Sequence, residues 1–215
     1  MIVVVYKAES DYRRRMIRKH LQKLENLEEV SSAVFILHVY DDRVIKKIRK
    51  ILDYYAKRHI LFTRGTMFLL FKYRFRKRSS KDFMAVKRVL ERSLGLRVDK
   101  GVWIIPSKYS NVLKELLDHD VVIERYYYIE PYSVQDAKEL GDMYFEYLLK
   151  YVQDLEDKIM LCELKYKTLR EYITRINVLQ EKLLEGVIVD LLGKSRVIAL
   201  LKKLGIFKKE LLEKL

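Results

Sequence analysis

Residues 68–106 constrain the fold of this chain more than any other segment. An apolar run at 68–71 leads into a loop rich in lysine and arginine, a segment with helical periodicity follows, and a second apolar run occupies 101–106. Short apolar runs favour buried strands, and apolar residues spaced three and four apart favour an amphipathic helix. The segment therefore predicts the order strand, cationic loop, helix, strand.

The first 131 residues predict this order twice, in two similar halves. The predicted strands are 2–6, 33–40, 60–63, 67–75, 102–105 and 121–129, and the predicted helices are 11–27, 44–55, 81–93 and 112–117. The Arg-Gly-Thr sequence at 64–66 predicts a turn between the halves. Short stretches at 30–32 and 97–100 can add a hairpin strand to each half, which completes two split β-α-β units of the ferredoxin-like type. The predicted fold class is α+β; one larger α+β domain is the alternative.

Beyond residue 133 the pattern changes to long helix. Two sets of residues recur every seven positions, and they are Leu148, Leu155, Cys162, Leu169, Ile176 and Leu183, with Val152, Ile159, Tyr166, Ile173 and Gln180 between them. This repeat predicts a coiled-coil-type arm that pairs two chains as a homodimer or folds against a neighbouring helix. The alternative is a long amphipathic helix that lies on its own sheet. Two short helices are predicted at 196–204 and 207–215, so the predicted domains are 1–66, 67–132, 133–190 and 191–215.

The positive charge is concentrated in the two halves. Residues 1–132 contain 29 basic and 16 acidic residues, a net charge of +13, whereas residues 133–215 contain 15 and 14, a net charge of +1. A basic surface of this kind attracts nucleic acid or another polyanion; a generic solubilising surface is the alternative. The single cysteine, Cys162, and the absence of an apolar stretch of about 20 residues predict a cytoplasmic protein that does not associate with membranes.

Two clusters of cations are the predicted nucleic-acid-binding residues. They are Arg13, Arg14, Arg15, Arg18 and Lys19 on the first helix, and Lys72, Arg74, Arg76, Lys77, Arg78 and Lys81 after the strand at 67–75. Arginine suits bidentate contacts to phosphate, and the interleaved Tyr73 and Phe75 are of a type that stacks on unpaired bases. The alternating cations of the second cluster are also typical of the solvent face of an edge strand.

Four stretches resemble a domain of bacterial and archaeal regulators. LLFKYRF, GLRVDKGVWIIP, KYSNVLKELL and LGDMYFEYLLKYVQDLE are similar to parts of the regulatory proteins of chromate resistance and, except for the last stretch, of the phenylacetate-pathway repressors. The resemblance covers about residues 60–160 and is most specific at Gly101, Val102, Trp103 and Pro106. It implies a ferredoxin-like domain in a regulator. The C-terminal residues 196–215 also look like the first two helices of a helix-turn-helix; the alternative is an element for packing or dimerisation.

That domain in turn resembles the small nuclease-like proteins of CRISPR spacer acquisition, which are ferredoxin-like dimers. Those proteins have an aspartate at the end of the first strand, where this chain has Lys7 after Tyr6 and Lys72 after Phe71. Lysine does not replace a carboxylate as a ligand of a divalent metal. Asp41 and Asp42 offer another register for such a strand end, although an aspartate pair that opens a helix is more often a cap.

No pattern of catalytic residues stands out. The four histidines are scattered, and neither a Walker-type nor a Gly-x-Gly-x-x-Gly loop occurs. The sequence therefore favours a non-catalytic nucleic-acid-binding protein, with DNA the expected partner and transcriptional regulation the expected role, without metal or cofactor. The alternatives are a metal-dependent nuclease that uses Asp41 or Asp42 and an interaction scaffold built on the coiled coil.

Overall fold

The computed structural model describes residues 1–77, 79–161 and 166–214. The protein is of mixed α+β class with an antiparallel sheet, and the described residues form two compact units, Met1–Glu139 and Leu140–Leu215. None of the helices within the described ranges combines the length and the apolar character that crossing a membrane requires.

Seven strands and eight α-helices occur in the described part of the chain. The strands are β1 (Ile2–Ala8), β2 (Leu27–Ser31), β3 (Val34–Leu37), β4 (Ala56–Phe75), β5 (Leu96–Asp99), β6 (Val102–Pro106) and β7 (Val121–Pro131). The helices are α1 (Asp11–Leu21), α2 (Asp42–Tyr55), α3 (Ser80–Arg92), α4 (Val112–Leu117), α5 (Val134–Leu161), α6 (Tyr166–Leu183), α7 (Gly186–Leu192) and α8 (Lys194–Glu213). A 3₁₀ helix (Ser107–Tyr109) follows β6.

Side-chain caps determine where three of the helices begin. Ser10 precedes α1, Asp41 precedes α2 and Ser79 precedes α3, and a side-chain oxygen of each accepts backbone N–H groups from the first turn. Asp41 Oδ1 accepts two such groups, at 2.8 and 3.2 Å. Capping satisfies amides that have no partner within the helix. The prediction that the aspartate pair opens a helix is confirmed, with Asp41 as the cap and Asp42 as the first helical residue.

The sheet of the first unit repeats one strand order. Its strands are arranged β2-β3-β1-β4-β6-β5, and β7 also pairs with β4. β1 pairs with the first part of β4, where Ile2 lies opposite Thr63, and β6 pairs with the second part, where Phe68 lies opposite Pro106. The first half therefore runs β2-β3-β1-β4 and the second runs β5-β6-β4-β7. In both halves the chain follows the order strand, helix, strand, strand, helix, strand, as predicted.

The predicted turn at 64–66 is wrong, because β4 is one continuous strand of 20 residues. Arg64 and Phe68 both pair with Ile129 of β7, so the residues between them form a bulge in the ladder. A glycine inside a strand often marks such a bulge, and Gly65 is among these residues. The boundary predicted between residues 66 and 67 therefore falls inside a strand that both halves share.

Each half has its own core on the helical face of the sheet. Helices α1 and α2 contribute to the first core, together with β1, β3 and β4, and Phe35 is fully buried there. Helices α3 and α4 contribute to the second core, which includes the fully buried Phe71. Polar contacts also connect the halves, among them Lys72 Nζ to the Val30 carbonyl (3.0 Å), Ser32 Oγ to Asp99 Oδ2 (2.8 Å) and Arg125 to Glu28.

Gly101, between β5 and β6, is a position where any side chain is expected to destabilise the protein. Its φ is +72°, and a Cβ atom would lie 2.4 Å from the backbone oxygen of Tyr73. We expect Gly101→Ala to lower the free energy of unfolding by about 2–3 kcal/mol, because strained backbone and a clash with main chain add together. Chemical denaturation measures this change, and a loss below about 0.5 kcal/mol would contradict it.

Gly205 provides the matched control for that substitution. It lies in the interior of α8, and a Cβ atom there would meet nothing within 4 Å. Gly205→Ala should therefore stabilise the protein by up to about 1 kcal/mol, because alanine is the better helix former. The two glycine-to-alanine changes are expected to have opposite signs.

The second unit buries seven of the predicted heptad positions within a single chain, whereas Ile173 and Gln180 are half-buried. The buried members are Leu148, Val152, Leu155, Ile159, Leu169, Ile176 and Leu183, whereas Cys162 lies outside the described residues. Helix α6 packs against α8, and Lys203 and Arg196 of α8 form ion pairs of 2.9 and 2.6 Å with Glu156 and Asp142 of α5. Of the two arrangements predicted for the heptad repeat, this packing corresponds to the one in which the helix folds against its neighbours in the same chain. Pairing of two chains through the same positions stays a prediction.

The prediction of two short helices around Gly205 is wrong. Helix α8 continues through Gly205, with Leu204 and Phe207 buried on either side of it. The cost of one glycine in a helix is about 1 kcal/mol, less than the burial of two large apolar side chains contributes. The interpretation of this tail as two helices of a helix-turn-helix is therefore also wrong.

Candidate nucleic-acid interface

The first predicted cluster divides into paired and unpaired cations. Three of its arginines form ion pairs, which are Arg13–Glu9 (3.2 Å), Arg14–Asp11 (3.3 Å) and Arg18–Glu29 (2.7 Å). Arg15 and Lys19 are exposed and form no ion pair with any of the described residues. They are the members of this cluster whose charge is available to a ligand.

Tyr6, at the end of β1, has a structural role beside α1. Its hydroxyl donates to the carbonyl of Ser32 at 2.7 Å, and Ser32 Oγ donates to Asp99. Burial raises the pKa of Tyr6 well above its ordinary value, and the nearby charge of Arg18 only partly opposes this. Burial also acts to raise the pKa of Asp99, but hydrogen bonds from Ser32 and the Lys100 amide hold it below the usual value. The hydroxyl of Tyr6 and the carboxylate of Asp99 thus hold the turn between β2 and β3 against β1 and the end of β5.

The second predicted cluster is also partly neutralised. Glu124 of β7 lies 3.0 Å from both Lys72 Nζ and Arg74 Nε, so one carboxylate is shared by two cations. Arg76 and Lys77 are exposed, and their backbone amides donate to Asp120. Lys81 is exposed in the first turn of α3, and Arg78 lies outside the described residues. The available charge of this cluster is therefore at the loop and not along β4.

Helix α2 has a row of cations that the sequence analysis missed. The outer side of this helix carries Arg43, Lys46, Lys47 and Lys50, all exposed, and we call these four residues the basic ridge. Positions 43, 47 and 50 are spaced four and three apart, which places them on one face of the helix. None of the four side chains forms an ion pair or hydrogen bond within the part of the chain that the structure describes. The basic ridge therefore presents four uncompensated charges to solvent.

The fold brings the unpaired cations of α1 next to the basic ridge. Helices α1 and α2 pack side by side on the first core, and the ring of His20 stacks on Tyr55 with a centroid distance of 5.5 Å. Arg15 and Lys19 are exposed on α1, and Lys23 is exposed in the turn that follows it. Two adjacent helices thus form one basic surface that belongs to the first half alone.

The sequence does contain a signal for the basic ridge. The buried residues Ile45, Ile48 and Leu52 define the apolar stripe of α2 that was predicted from periodicity. The same periodicity places positions 43, 47 and 50 on the opposite side of the helix. Examining the polar face of each amphipathic helix for residues of one sign would have identified this surface.

Asp41 and Asp42 do not form a recognisable metal site. The carboxylate of Asp41 is engaged as the cap of α2, and Asp42 Oδ1 accepts a hydrogen bond from the hydroxyl of Tyr40 at 2.8 Å. Among the described residues, no group of three or more histidine, cysteine, aspartate or glutamate side chains is placed to hold a metal ion.

No protein-family model matches this chain, and no curated protein matches it either. Similarity to known proteins therefore assigns no function. The positions and partners of the charged side chains are the basis on which a function can be inferred.

Proposed function

We propose that this protein is a non-catalytic nucleic-acid-binding protein that grips phosphates with the basic ridge and the adjoining cations of α1. The single observation that carries the proposal is that the four cations of the ridge have no partner among the described residues, whereas many cations elsewhere are paired. A row of exposed lysine and arginine side chains displaces the cations condensed on nucleic-acid phosphates, and the release of these counterions supplies much of the affinity for a polyanion. Arg76, Lys77 and Lys81 provide a second, smaller contact surface.

The expected role in transcription follows from the resemblance of residues 60–160 to regulator domains, and it is part of the same proposal. In this view the two halves are tandem ferredoxin-like units, and DNA is the target. Self-association as a homodimer through the helical arm is a further element of the proposal. The molar mass from light scattering tests it, since a monomer at micromolar concentration would remove that element without affecting phosphate binding.

Removing the charge of the basic ridge tests the proposed function. We expect the variant in which Arg43, Lys46, Lys47 and Lys50 are all replaced by glutamine to bind a DNA 20-mer duplex at least about 100-fold more weakly than the original protein. The plot of log K against log salt has a negative slope, and each lost phosphate contact should make this slope less steep by about one. Fluorescence anisotropy at several salt concentrations measures both quantities.

A matched control on α8 separates a specific surface from general charge. The control replaces four other exposed lysines by glutamine, namely Lys194, Lys202 and Lys209 of α8 and Lys214 directly after it, and so removes the same number of charges. Of these, Lys209 is paired with Glu213 at 3.8 Å. We expect this variant to bind within about threefold of the original. Equal loss in both variants would show that net charge alone attracts DNA, and failure of the original protein to bind at low salt would contradict the proposed function itself.

A further inference from the structure

The basic ridge ends beside a group of three aromatic rings. His20 of α1 stacks on Tyr55 with an interplanar angle of 20°, and Tyr54 meets Tyr55 in a T-shaped contact at 4.6 Å. Tyr54 is nevertheless 74% exposed. The stacking of Tyr55 on His20 anchors the end of α2, and the neighbouring Tyr54 is presented to solvent with its orientation restrained by Tyr55.

Cations of α2 and of the end of α1 lie close to this group in the chain. Lys50 lies one turn before Tyr54, about 6 Å along the helix axis, and Lys47 lies one turn before Lys50. Lys19 precedes His20 in α1, Lys23 lies in the turn that follows this helix, and both are exposed. A single exposed tyrosine is ordinary on a protein surface. An exposed ring with cations on its own helix and on the end of the adjacent one is suited to binding a base and its flanking phosphates.

We infer that this end of the ridge binds single-stranded DNA, with a base stacked on the ring of Tyr54 and the neighbouring phosphates on Lys47, Lys50, Lys19 and Lys23. The inference rests on the proposed function and specifies its ligand. A duplex hides the faces of its bases, so an exposed aromatic ring adds affinity only when the bases are unpaired. The ligand is assigned as DNA because DNA is the partner in the proposed function, and an RNA strand, whose 2′-hydroxyl is the group by which proteins distinguish the two, tests that choice.

The test compares substitutions of Tyr54 on four labelled probes: a thymidine 20-mer, a 20-mer strand of abasic sites, a 20-base-pair duplex and a uridine 20-mer of RNA. We expect Tyr54→Ala and Tyr54→Leu to weaken binding of the thymidine strand about tenfold, since both remove the aromatic face. Tyr54→Phe should bind as the original does. None of the three changes should alter binding of the abasic strand or the duplex, which contain phosphates but no accessible base.

Tyr126→Ala is the matched control. Tyr126 is 57% exposed and makes a T-shaped contact with Tyr128, but it lies on β7 in the other half. We expect this variant to bind every probe as the original protein does. A loss equal to that of Tyr54→Ala would overturn the assignment of the base to Tyr54.

The possible failures are distinguishable from failure of the proposed function. If the ridge variant loses duplex binding while Tyr54→Ala binds the thymidine strand normally, the inference is overturned and the proposed function stands. Tighter binding of the RNA strand, with the same dependence on Tyr54, would overturn the assignment to DNA. If the original protein binds none of the four probes, both proposals are overturned.

Discussion

Asp136→Ala should destabilise the protein by about 3–5 kcal/mol. Asp136 is 2% exposed and lies in the first turn of α5. It accepts hydrogen bonds from Arg49 Nη2 at 2.7 Å and from the backbone N–H of Leu61 at 2.9 Å. Removing this buried carboxylate leaves the buried Leu61 N–H without its acceptor and the half-buried Arg49 without its counter-charge, and unsatisfied groups of this kind cost more than the pair itself contributes.

Ser133 adds to the connection that Asp136 makes. Its hydroxyl is hydrogen-bonded to the carboxylate of Asp136 and accepts the Asp136 backbone N–H at 3.2 Å. One carboxylate thus holds together the start of α5, the middle of α2 and the first part of β4. Ser133→Ala removes both hydrogen bonds of this hydroxyl but leaves the carboxylate of Asp136 in place, and it should cost about 1 kcal/mol.

Chemical denaturation measures these losses, and Asp53→Ala is the control. Asp53 is also paired, to His59 Nε2 at 3.6 Å, but its side chain is 67% exposed. Exposed pairs contribute little, so we expect a loss within about 0.5 kcal/mol. An Asp136→Ala variant as stable as the Asp53→Ala variant would contradict the role assigned to Asp136.

Phe71→Ala should lower the stability of both halves of the sheet by about 3–5 kcal/mol, although Phe71 lies only in the second core. Removing a fully buried phenylalanine ring leaves a cavity that the surrounding side chains cannot fill. Because β4 passes through both halves and β7 pairs with both of its parts, the two cores are expected to unfold in one cooperative step.

Native-state hydrogen exchange measures this coupling. In Phe71→Ala the amides of β1, in the other half, should lose protection by roughly two to three and a half powers of ten, which corresponds to the expected loss of stability. The reciprocal control is Phe35→Ala in the first core, which should lower protection in β6 to a similar extent. Unchanged protection of β1 in Phe71→Ala would show that the halves unfold independently.

Local patterns predicted much of this fold from the sequence. An aspartate before an apolar helical stripe predicts a cap, because its carboxylate can accept the backbone N–H groups of the first turn. Asp41 occupies this position before α2 and accepts the N–H of Arg43. The short stretches 30–32 and 97–100 were predicted as hairpin strands, and β2 and β5 include parts of them. These elements depend on residues close together in the chain.

The features that the sequence did not reveal depend on distant residues. Arg64-Gly65-Thr66 has the composition of a turn. The segment stays within β4 because Arg64 and Phe68 on either side of it both pair with Ile129 of β7, some 65 positions later, which leaves the residues between them as a bulge. Lys72 and Arg74 read as free cations because Glu124, which neutralises both, lies about 50 residues away. The basic ridge is a different case, because the spacing of its residues along α2 is visible in the sequence itself.

The continuity of β4 also restricts how this protein could have diversified. A repeated strand order suggests a module that recombination could exchange, yet a crossover between residues 66 and 67 would cut a strand that completes both sheets. A chimera made at that point would have to reproduce the bulge and the register with β7 at the same time. The two halves therefore repeat one topology, but neither is expected to be exchanged by recombination without the other.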